Sequence, residues 1–197
     1  MSSAHTQWTG DTESKPAPAP LFRVQSLVNT VELPDGPDRL ADPANARPWL
    51  VDSGWLAPTA ELRPADHELV RRVREALRAL LVHNAGGPAP TARALEPLRE
   101  IAADGIARVD VGAGCEVKLS AGGDSVAAAL IDLLLIIRDA QRDGSWARLK
   151  ACGNDECQWA FYDRSRNHGG TWCEMSTCGN RLKNREFRAR KRGAQSH

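Results

Sequence analysis

The spacing of apolar residues predicts a body built mainly of helices. After Leu21, apolar side chains recur every three or four positions until the turn-forming stretch LPDGPD, which predicts a first helix. Asp42 and Pro43 are N-cap and first-turn signals for a second helix that ends near Gly54. Pro48 is expected to kink or split this helix, because proline cannot donate the backbone hydrogen bond that a helix interior needs.

The clearest amphipathic segment follows Pro64 and ends at Gly86. Its apolar residues lie on one stripe of a helix, and its arginines point away from that stripe. We expect these arginines to form a solvent-exposed face. The apolar stripe is Leu69, Val70, Val73, Ala76, Leu77, Leu80 and Leu81, and the arginines are Arg71, Arg72, Arg74 and Arg78.

The apolar period changes to two in ARVDVGAGCEVKLS, on both sides of a Gly-Ala-Gly turn. This alternation predicts a β-hairpin with one buried face. Cys115 falls on the apolar face, so we expect a small buried side chain rather than a reactive thiol. The next segment, capped by Asp124 and Ser125, is apolar nearly all round and predicts a helix at the centre of the core. The fold class predicted is therefore α+β.

Charge is distributed unevenly along the 197 residues, although the formal net charge is only +1. Residues 146–192 hold 11 of the 26 Lys and Arg but only 5 of the 25 Asp and Glu, a balance of +6. The rest then holds 15 basic and 20 acidic residues, a balance of −5. An acidic body with a basic end is typical of a protein whose basic segment contacts a polyanion. The first 20 residues are polar and Pro-Ala-rich, and we expect a disordered arm there.

Other features narrow the function. No apolar stretch reaches the length of a membrane helix, and no secretory signal is visible, so the expected compartment is the cytoplasm. Clustered cysteines in a reducing compartment usually bind metal rather than form disulfides. The chain has no Gly-rich phosphate loop and no His-Glu hydrolase pattern, which argues against an enzyme.

Four cysteines form two pairs with equal internal gaps, Cys152 with Cys157 and Cys173 with Cys178. Two such pairs supply the four ligands of one tetrahedral, structural Zn²⁺. Redox dithiols are the alternative, but they use a gap of two residues rather than four. His168 is a candidate to replace one cysteine as a ligand, although four thiolates already complete the shell. Without zinc, residues 152–192 are expected to unfold while the body survives.

The segment between the pairs, QWAFYDRSRNHGGTW, predicts strand, turn and strand, with Trp159, Phe161 and Trp172 covering the metal. After the second pair, the Arg- and Lys-rich sequence predicts a helix that starts near Met175 and holds Cys178 in its first turn. Knuckle, hairpin and helix together indicate a treble-clef finger. The candidate nucleic-acid-binding residues are Arg181, Lys183, Arg185, Arg188, Arg190, Lys191 and Arg192.

Two stretches carry a family resemblance. WCEMSTCGNR, preceded by ACGNDECQWAFYDRSRN, resembles the CGNR zinc-finger proteins of bacteria. SLVNTVEL, LADPANARPWLVDSGW and the Arg-rich helix resemble the ABATE domain that commonly precedes that finger. The resemblance implies an ABATE-like domain over 21–145, a CGNR finger over 146–192 and a tail over 193–197. It also implies that the four paired cysteines bind zinc and that the protein is a stress-induced transcriptional regulator.

The leading hypothesis is a DNA-binding regulator whose body senses a ligand or dimerises. A ligand pocket is expected between the first helices and the hairpin, bordered by Asn29, Thr30, Trp49 and Trp55. Tight binding to DNA would need two fingers, so we expect a homodimer held by the body. Two alternatives remain open: an RNA-binding finger that stacks bases on its aromatic rings, and a protein-interaction finger that meets an acidic partner.

Overall fold

The computed structural model describes residues 13–123 and 125–180. This part of the chain is α+β, as predicted, with helices α1 (Phe22–Val28), α2 (Pro43–Asp52), α3 (Pro64–Asn84), α4 (Ala92–Asp104) and α5 (Val126–Arg142). Strand β1 (Arg108–Val111) pairs with β2 (Val117–Ser120), and β3 (Leu149–Ala151) pairs with β4 (Ala160–Tyr162), both antiparallel. A 3₁₀ turn lies at Trp146–Arg148, and a π-type helical turn lies at Met175–Gly179.

The helix boundaries follow the predicted caps. The Asp42 side chain accepts a hydrogen bond from the Asn45 amide (3.0 Å) at the start of α2, which then continues unsplit through Pro48. Ser125 caps α5 in the same way, by accepting from the Ala128 amide (3.2 Å). Each cap satisfies a backbone N–H that has no partner inside its helix. Asp124, the other predicted cap, lies outside the described residues.

The core lies between α3 and α5, with α1 and α2 packed on it. Leu77, Leu81, Leu130 and Leu133 are fully buried, in agreement with the predicted apolar stripe and the predicted central helix. The cluster also includes Leu149, Ala151, Ala160 and Tyr162 from β3 and β4. The second hairpin is therefore continuous with the core of the body. No helix in the described ranges is long and apolar enough to cross a membrane.

Two of the four arginines predicted to be solvated are buried. Arg74 donates to both carboxylate oxygens of Asp38, at 2.6 and 3.0 Å. Arg78 pairs with Glu75 at 3.0 Å and donates to the Val28 carbonyl at 2.8 Å. A long guanidinium side chain can lie inside a protein when its charge and its donors are all paired, and that is the physical reason for the difference. Arg71 and Arg72 keep about 40% of their side chains exposed, as predicted.

The hairpin of β1 and β2 is more exposed than predicted. Both strands lie on the surface: β1 is exposed throughout, and only Leu119 and Ser120 of β2 are half-buried, so the expected buried face is mostly exposed. Cys115 is exposed rather than buried, and its φ of 63° places it in the turn between the strands. The alternating pattern correctly predicted the two strands of the hairpin. Alternation alone cannot predict whether another element covers their apolar side.

The segment before α1 is also different from the expected disordered arm. Residues 13–17 run beside β4, where the Tyr162 amide donates to the Lys15 carbonyl (3.0 Å). The Lys15 ammonium donates to the Trp172 carbonyl (2.6 Å) and lies 5.0 Å from the centroid of the Phe161 ring. This short segment, with few apolar residues, is therefore held by backbone hydrogen bonds and by one lysine. Residues 1–12 lie outside the described ranges.

Candidate metal centre

The first cysteine pair lies in the connection between β3 and β4. Cys152 directly follows β3, and its amide donates to the Trp159 carbonyl (2.9 Å). The Cys157 amide donates to the Asn154 carbonyl (2.8 Å), and Gln158 turns the chain back with a φ of 46°. Strand β4 thus pairs with β3, which precedes the first cysteine. The prediction of a second strand after the turn, between the two cysteine pairs, was wrong. The hydrogen bonds that complete this hairpin come from β3, which precedes the first cysteine.

The second pair is brought close by a backbone contact and by a helical turn. The Gly153 amide donates to the Thr171 carbonyl (2.8 Å), which joins the two cysteine pairs. Cys178 lies in the turn Met175–Gly179, as predicted from the sequence, and its amide donates to the Glu174 carbonyl (3.2 Å). A Cβ at Gly179 would lie 2.5 Å from Met175 Sδ, so a side chain there would have to displace the flexible end of Met175.

The four sulfurs form a compact group. All four Sγ atoms lie within 4.8 Å of one another, with 3.7 Å between Cys157 and Cys173 and 3.8 Å between Cys173 and Cys178. A tetrahedral Zn²⁺ with Zn–S bonds of about 2.3 Å has sulfur–sulfur edges of about 3.8 Å. A disulfide would need a separation of about 2.05 Å. The donor set therefore fits one structural Zn²⁺, and the predicted ligands Cys152, Cys157, Cys173 and Cys178 form this group.

The protonation of the thiols agrees with a cation site. Hydrogen bonds from Cys157 and Cys173 lower the pKa of Cys152 to about 2, while the hydrogen bond to Cys152 raises the pKa of Cys157 to about 12. The same crowding raises the pKa of Cys173. Four thiols in so small a volume cannot all ionise by themselves, because each thiolate opposes the next. A divalent cation removes this penalty and would hold all four as thiolates.

Three of the four cysteines, all but Cys152, border an acidic cleft of about 540 Å³. Burial raises the pKa of Glu13 in this cleft, although hydrogen bonds from Asn29, Trp159 and Gln25 oppose the shift. Several carboxylates beside half-exposed sulfurs make this cleft favour cations over phosphates. The acidic residues of the cleft are Glu13, Glu32, Glu156 and Glu174.

A buried ion pair fixes the loop between the cysteine pairs. The Lys150 ammonium, on β3, donates to Asp163 Oδ2 (2.9 Å) and to the carbonyl of His168. Asp163 also accepts from the amides of Ser165 (2.9 Å) and Gly170 (2.8 Å). Burial would raise the pKa of Asp163, but these donors outweigh it and hold the pKa well below its usual range. This pair was not predictable from the sequence, since a lysine inside an apolar strand carries no partner signal.

His168, the candidate to replace a cysteine as a ligand, lies on the surface of this loop. Its side chain is exposed, and it is not a member of the described sulfur group. The backbone of His168 helps to fix this loop, since its carbonyl accepts a hydrogen bond from the Lys150 ammonium.

Two amide side chains, Gln25 in α1 and Asn29 directly after it, hold the finger against the body. Asn29 Nδ2 donates to the Ala160 carbonyl (2.9 Å), and the Ala160 amide donates back to Asn29 Oδ1 (2.7 Å). Gln25 Nε2 donates to the same carbonyl (3.1 Å), and Arg78 Nη1 donates to the Gln158 carbonyl (3.2 Å). Asn29 therefore pairs with β4 much as a neighbouring strand would. This role was not predicted, because the contacts join residues more than 100 positions apart.

The predicted ligand-pocket residues separate into two places. Asn29, Thr30 and Trp49 line one surface cleft of about 590 Å³, together with Arg23 and Arg39. Trp55 is buried elsewhere, with the Arg23 guanidinium 4.8 Å from its ring centroid. The β1–β2 hairpin borders neither place. Three of the four predicted residues thus line a cleft between α1 and α2, away from the hairpin.

The basic residues predicted to contact nucleic acid, from Arg181 to Arg192, lie outside the described residues. The structure does fix where that segment begins. Asn180 follows the helical turn with φ and ψ of −72° and −37°, which are α-helical values. The basic segment therefore starts one residue after a helical turn that carries a candidate zinc ligand.

Comparison with known families gives two matches. Residues 148–191 match the family described as the CGNR zinc finger, and all four clustered cysteines fall in that range. Residues 23–136 match the ABATE family, described as "Putative stress-induced transcription regulator". Among curated proteins, no significant match to the chain was found.

Proposed function

Because this chain belongs to the ABATE family and carries a CGNR zinc finger, we propose that it is a transcriptional regulator whose zinc-held finger binds DNA. One observation supports this proposal above the others. The four-sulfur group fixes the helical turn Met175–Gly179, and seven Lys and Arg follow within the next 13 residues after Gly179. A structural zinc would thus anchor the start of a basic segment, and Lys and Arg are the residues that contact phosphates.

The charges on the described part of the finger favour the approach of DNA from one side. Its cleft beside the sulfurs is lined with carboxylates and would repel phosphates. The loop after Asp163 is the opposite: Arg164 and Arg166 are exposed, and no acid occurs from Arg164 to Trp172. We therefore place the DNA-facing side on the basic segment and this loop, away from the acidic cleft.

Duplex DNA is favoured over single-stranded RNA by the state of the aromatic rings. Phe161 is buried, and Trp172 is half-buried, with Cδ1 3.2 Å from the Cβ position that a side chain at Gly179 would occupy. Trp159 is half-buried, donates to Glu13 and borders the acidic cleft. Base stacking needs an accessible ring face, and these rings are used within the protein. RNA and an acidic protein partner are therefore alternative outcomes of the test.

Affinity gives a reason to expect two fingers per complex. A single basic segment neutralises only a few phosphates, which implies roughly micromolar or weaker binding at physiological salt. Specific sites are usually bound about a thousandfold more tightly than that. A homodimer held by the body would supply two fingers for half-sites about one helical turn apart. Ligand sensing in the cleft of Asn29, Thr30 and Trp49 remains a prediction for the same body.

The proposal is tested with the zinc-loaded protein against random pools of duplex DNA and of RNA. We expect enrichment of duplex DNA, and we expect Arg185→Ala with Arg188→Ala to weaken binding. The dependence of log affinity on log salt should fall by about 0.9 for each phosphate contact that is lost. The matched control replaces Arg138 and Arg142, on the surface of α5, by alanine, and should bind as the unaltered protein does.

Three results would contradict the proposal. Enrichment of RNA alone would identify an RNA-binding finger. Binding to neither pool, with salt-sensitive binding to an acidic protein, would identify a protein-interaction finger. Unchanged DNA binding by the Arg185 and Arg188 variant at every salt concentration, with zinc retained, would exclude the basic segment as the contact surface.

A further inference from the structure

The four clustered cysteines differ in their access to solvent. Cys157 and Cys173 are half-buried, whereas Cys152 and Cys178 are buried. Both half-buried cysteines border the acidic surface cleft. Cys178 borders the same cleft but keeps only 7% of its surface exposed. An oxidant must reach the sulfur that it attacks, so a small molecule in this cleft meets Cys157 and Cys173 more readily than the other two.

The same two sulfurs lie close enough to react with each other. Cys157 Sγ is 3.7 Å from Cys173 Sγ. A disulfide needs about 2.05 Å, so the two sulfurs must approach each other by about 1.65 Å. Cys173 follows a surface loop that contains Gly169, where a backbone shift meets little steric resistance. The pair can therefore be joined by a local movement of this loop.

The charges beside these sulfurs favour reaction with an uncharged oxidant. The thiolate is the nucleophilic form of cysteine, and coordination to a cation keeps a cysteine deprotonated. The described residues that line the cleft include four glutamates and no Lys or Arg. No basic side chain in this lining thus lowers the nucleophilicity of the thiolates. The glutamates disfavour an anionic oxidant, whereas a neutral hydroperoxide meets no such repulsion.

We propose that Cys157 and Cys173 form a site of reversible oxidation, where a hydroperoxide joins them in a disulfide and the finger loses its zinc. This inference deepens the proposed function, because it names a way in which the finger is inactivated. Its consequence for DNA binding rests on that proposed function, but the oxidation itself does not.

The reaction balances in two steps with one peroxide. The thiolate of one cysteine attacks a peroxide oxygen, so that an S–O bond forms, the O–O bond breaks, and hydroxide leaves. The thiolate of the other cysteine then attacks the sulfur of this sulfenic acid, which forms the S–S bond and releases a second hydroxide. The two sulfurs together lose two electrons, and the peroxide gains them.

The disulfide removes two of the four metal ligands. Cys152 and Cys178 alone do not supply the four-coordinate shell of a structural zinc. The turn Met175–Gly179 then loses its anchor, and with it the start of the basic segment. A small thiol reverses the reaction by thiol–disulfide exchange, after which zinc can bind again.

The test treats the zinc-loaded Cys115→Ser protein with hydrogen peroxide. This background is chosen because Cys115 is exposed and would react by itself. A chelating dye measures zinc release, and mass spectrometry after alkylation in denaturant identifies the disulfide. We expect one disulfide for each zinc released, joining Cys157 to Cys173, with Cys152 and Cys178 recovered as free thiols. Dithiothreitol with added zinc should restore the original state.

Two results would overturn the proposal. The first is that the unaltered chain keeps its zinc after an exposure to peroxide that oxidises Cys115. The second is that the main disulfide contains Cys152 or Cys178.

A matched pair of charge variants tests the role of the cleft. Glu174→Lys places an ammonium next to Cys173 and should slow zinc release by peroxide about threefold, because a nearby cation lowers the nucleophilicity of a thiolate. Glu61→Lys makes the same change of charge at an exposed position outside the cleft lining and should release zinc at the unaltered rate. Equal rates for the two variants would contradict the role given to the carboxylates.

DNA binding is measured separately on the reduced and the oxidised protein. Loss of binding on oxidation and its return with dithiothreitol and zinc would support both proposals. If the disulfide forms as expected but the reduced protein binds no DNA, the oxidation site stands and the proposed function fails. If the reduced protein binds DNA but the pair does not oxidise, the proposed function stands and the oxidation site is excluded.

Discussion

At the scale of single residues, the charges that matter most are the buried ones. Lys150 and Asp163 keep only 8% and 3% of their side chains exposed, and they hold the loop that joins the two cysteine pairs. A buried pair of this kind need not stabilise a fold more than apolar residues would, but breaking it leaves an uncompensated charge. Replacing one partner is therefore expected to lower the free energy of unfolding by more than the intact pair contributes to it.

We predict that Lys150→Met lowers the free energy of unfolding by about 3 to 5 kcal/mol at neutral pH, because Asp163 is left buried and unpaired. The double variant Lys150→Met with Asp163→Asn should recover part of that loss, since the remaining amide is neutral. The measurement is denaturant unfolding at a fixed zinc concentration. Lys118→Met, which replaces an exposed lysine, should stay within about 0.5 kcal/mol of the unaltered protein. A Lys150 variant as stable as that control would contradict the role of the pair.

At the scale of elements, the segment before α1 behaves as an extra edge of the second hairpin. Residues 13–17 contribute the Lys15 carbonyl to Tyr162, the Lys15 ammonium to Trp172 and the Glu13 carboxylate to Asn29. Their contacts reach both β4 and the residue before Cys173. They cover the edge of β4 that would otherwise be open to solvent.

We predict that deleting residues 1–17 lowers the midpoint of thermal unfolding and speeds the loss of zinc to a chelator, whereas deleting residues 1–12 does neither. The physical reason is that the first deletion removes the partners of Tyr162, Trp172 and Asn29, and the second keeps them. Differential scanning calorimetry and a colorimetric chelator measure the two effects. Equal behaviour of the two truncated proteins would show that Glu13 and Lys15 do not support the finger.

Some features of these elements could be predicted from the sequence and others could not. The helices and the cysteine group were predictable because apolar period, caps and ligand spacing are local signals. The burial of Arg74 and Arg78 was not, because Asp38 and Val28 come from other parts of the chain and only the fold brings them near. For the same reason, the spacing of the cysteines predicted the metal but not that β4 pairs with β3.

At the scale of the whole molecule, the finger and the body share one core. Leu149, Ala151, Ala160 and Tyr162 belong to the same apolar cluster as α3 and α5, and Asn29 and Gln25 bind the backbone of β4. Residues 164–180 make fewer such contacts and depend on the sulfur group and on the Lys150–Asp163 pair. We therefore expect zinc removal to affect a smaller part of the described finger than the sequence predicts, whereas unfolding of 152–192 stays a prediction.

We predict that zinc removal divides the finger at about residue 163. Structural zinc contributes on the order of 10 kcal/mol to small finger domains, so its loss should unfold residues 164–180, which have little apolar surface of their own. Residues 149–162 should keep slow amide exchange, because the body still covers them. Hydrogen exchange measured by mass spectrometry checks both expectations, with Cys178→Ser as a second way to lose the metal. Cys115→Ser is the matched control, since Cys115 is exposed and lies outside the sulfur group. Loss of protection throughout 149–180 would mean that zinc supports the shared core as well, and unchanged protection in 164–180 would mean that the loop does not need the metal.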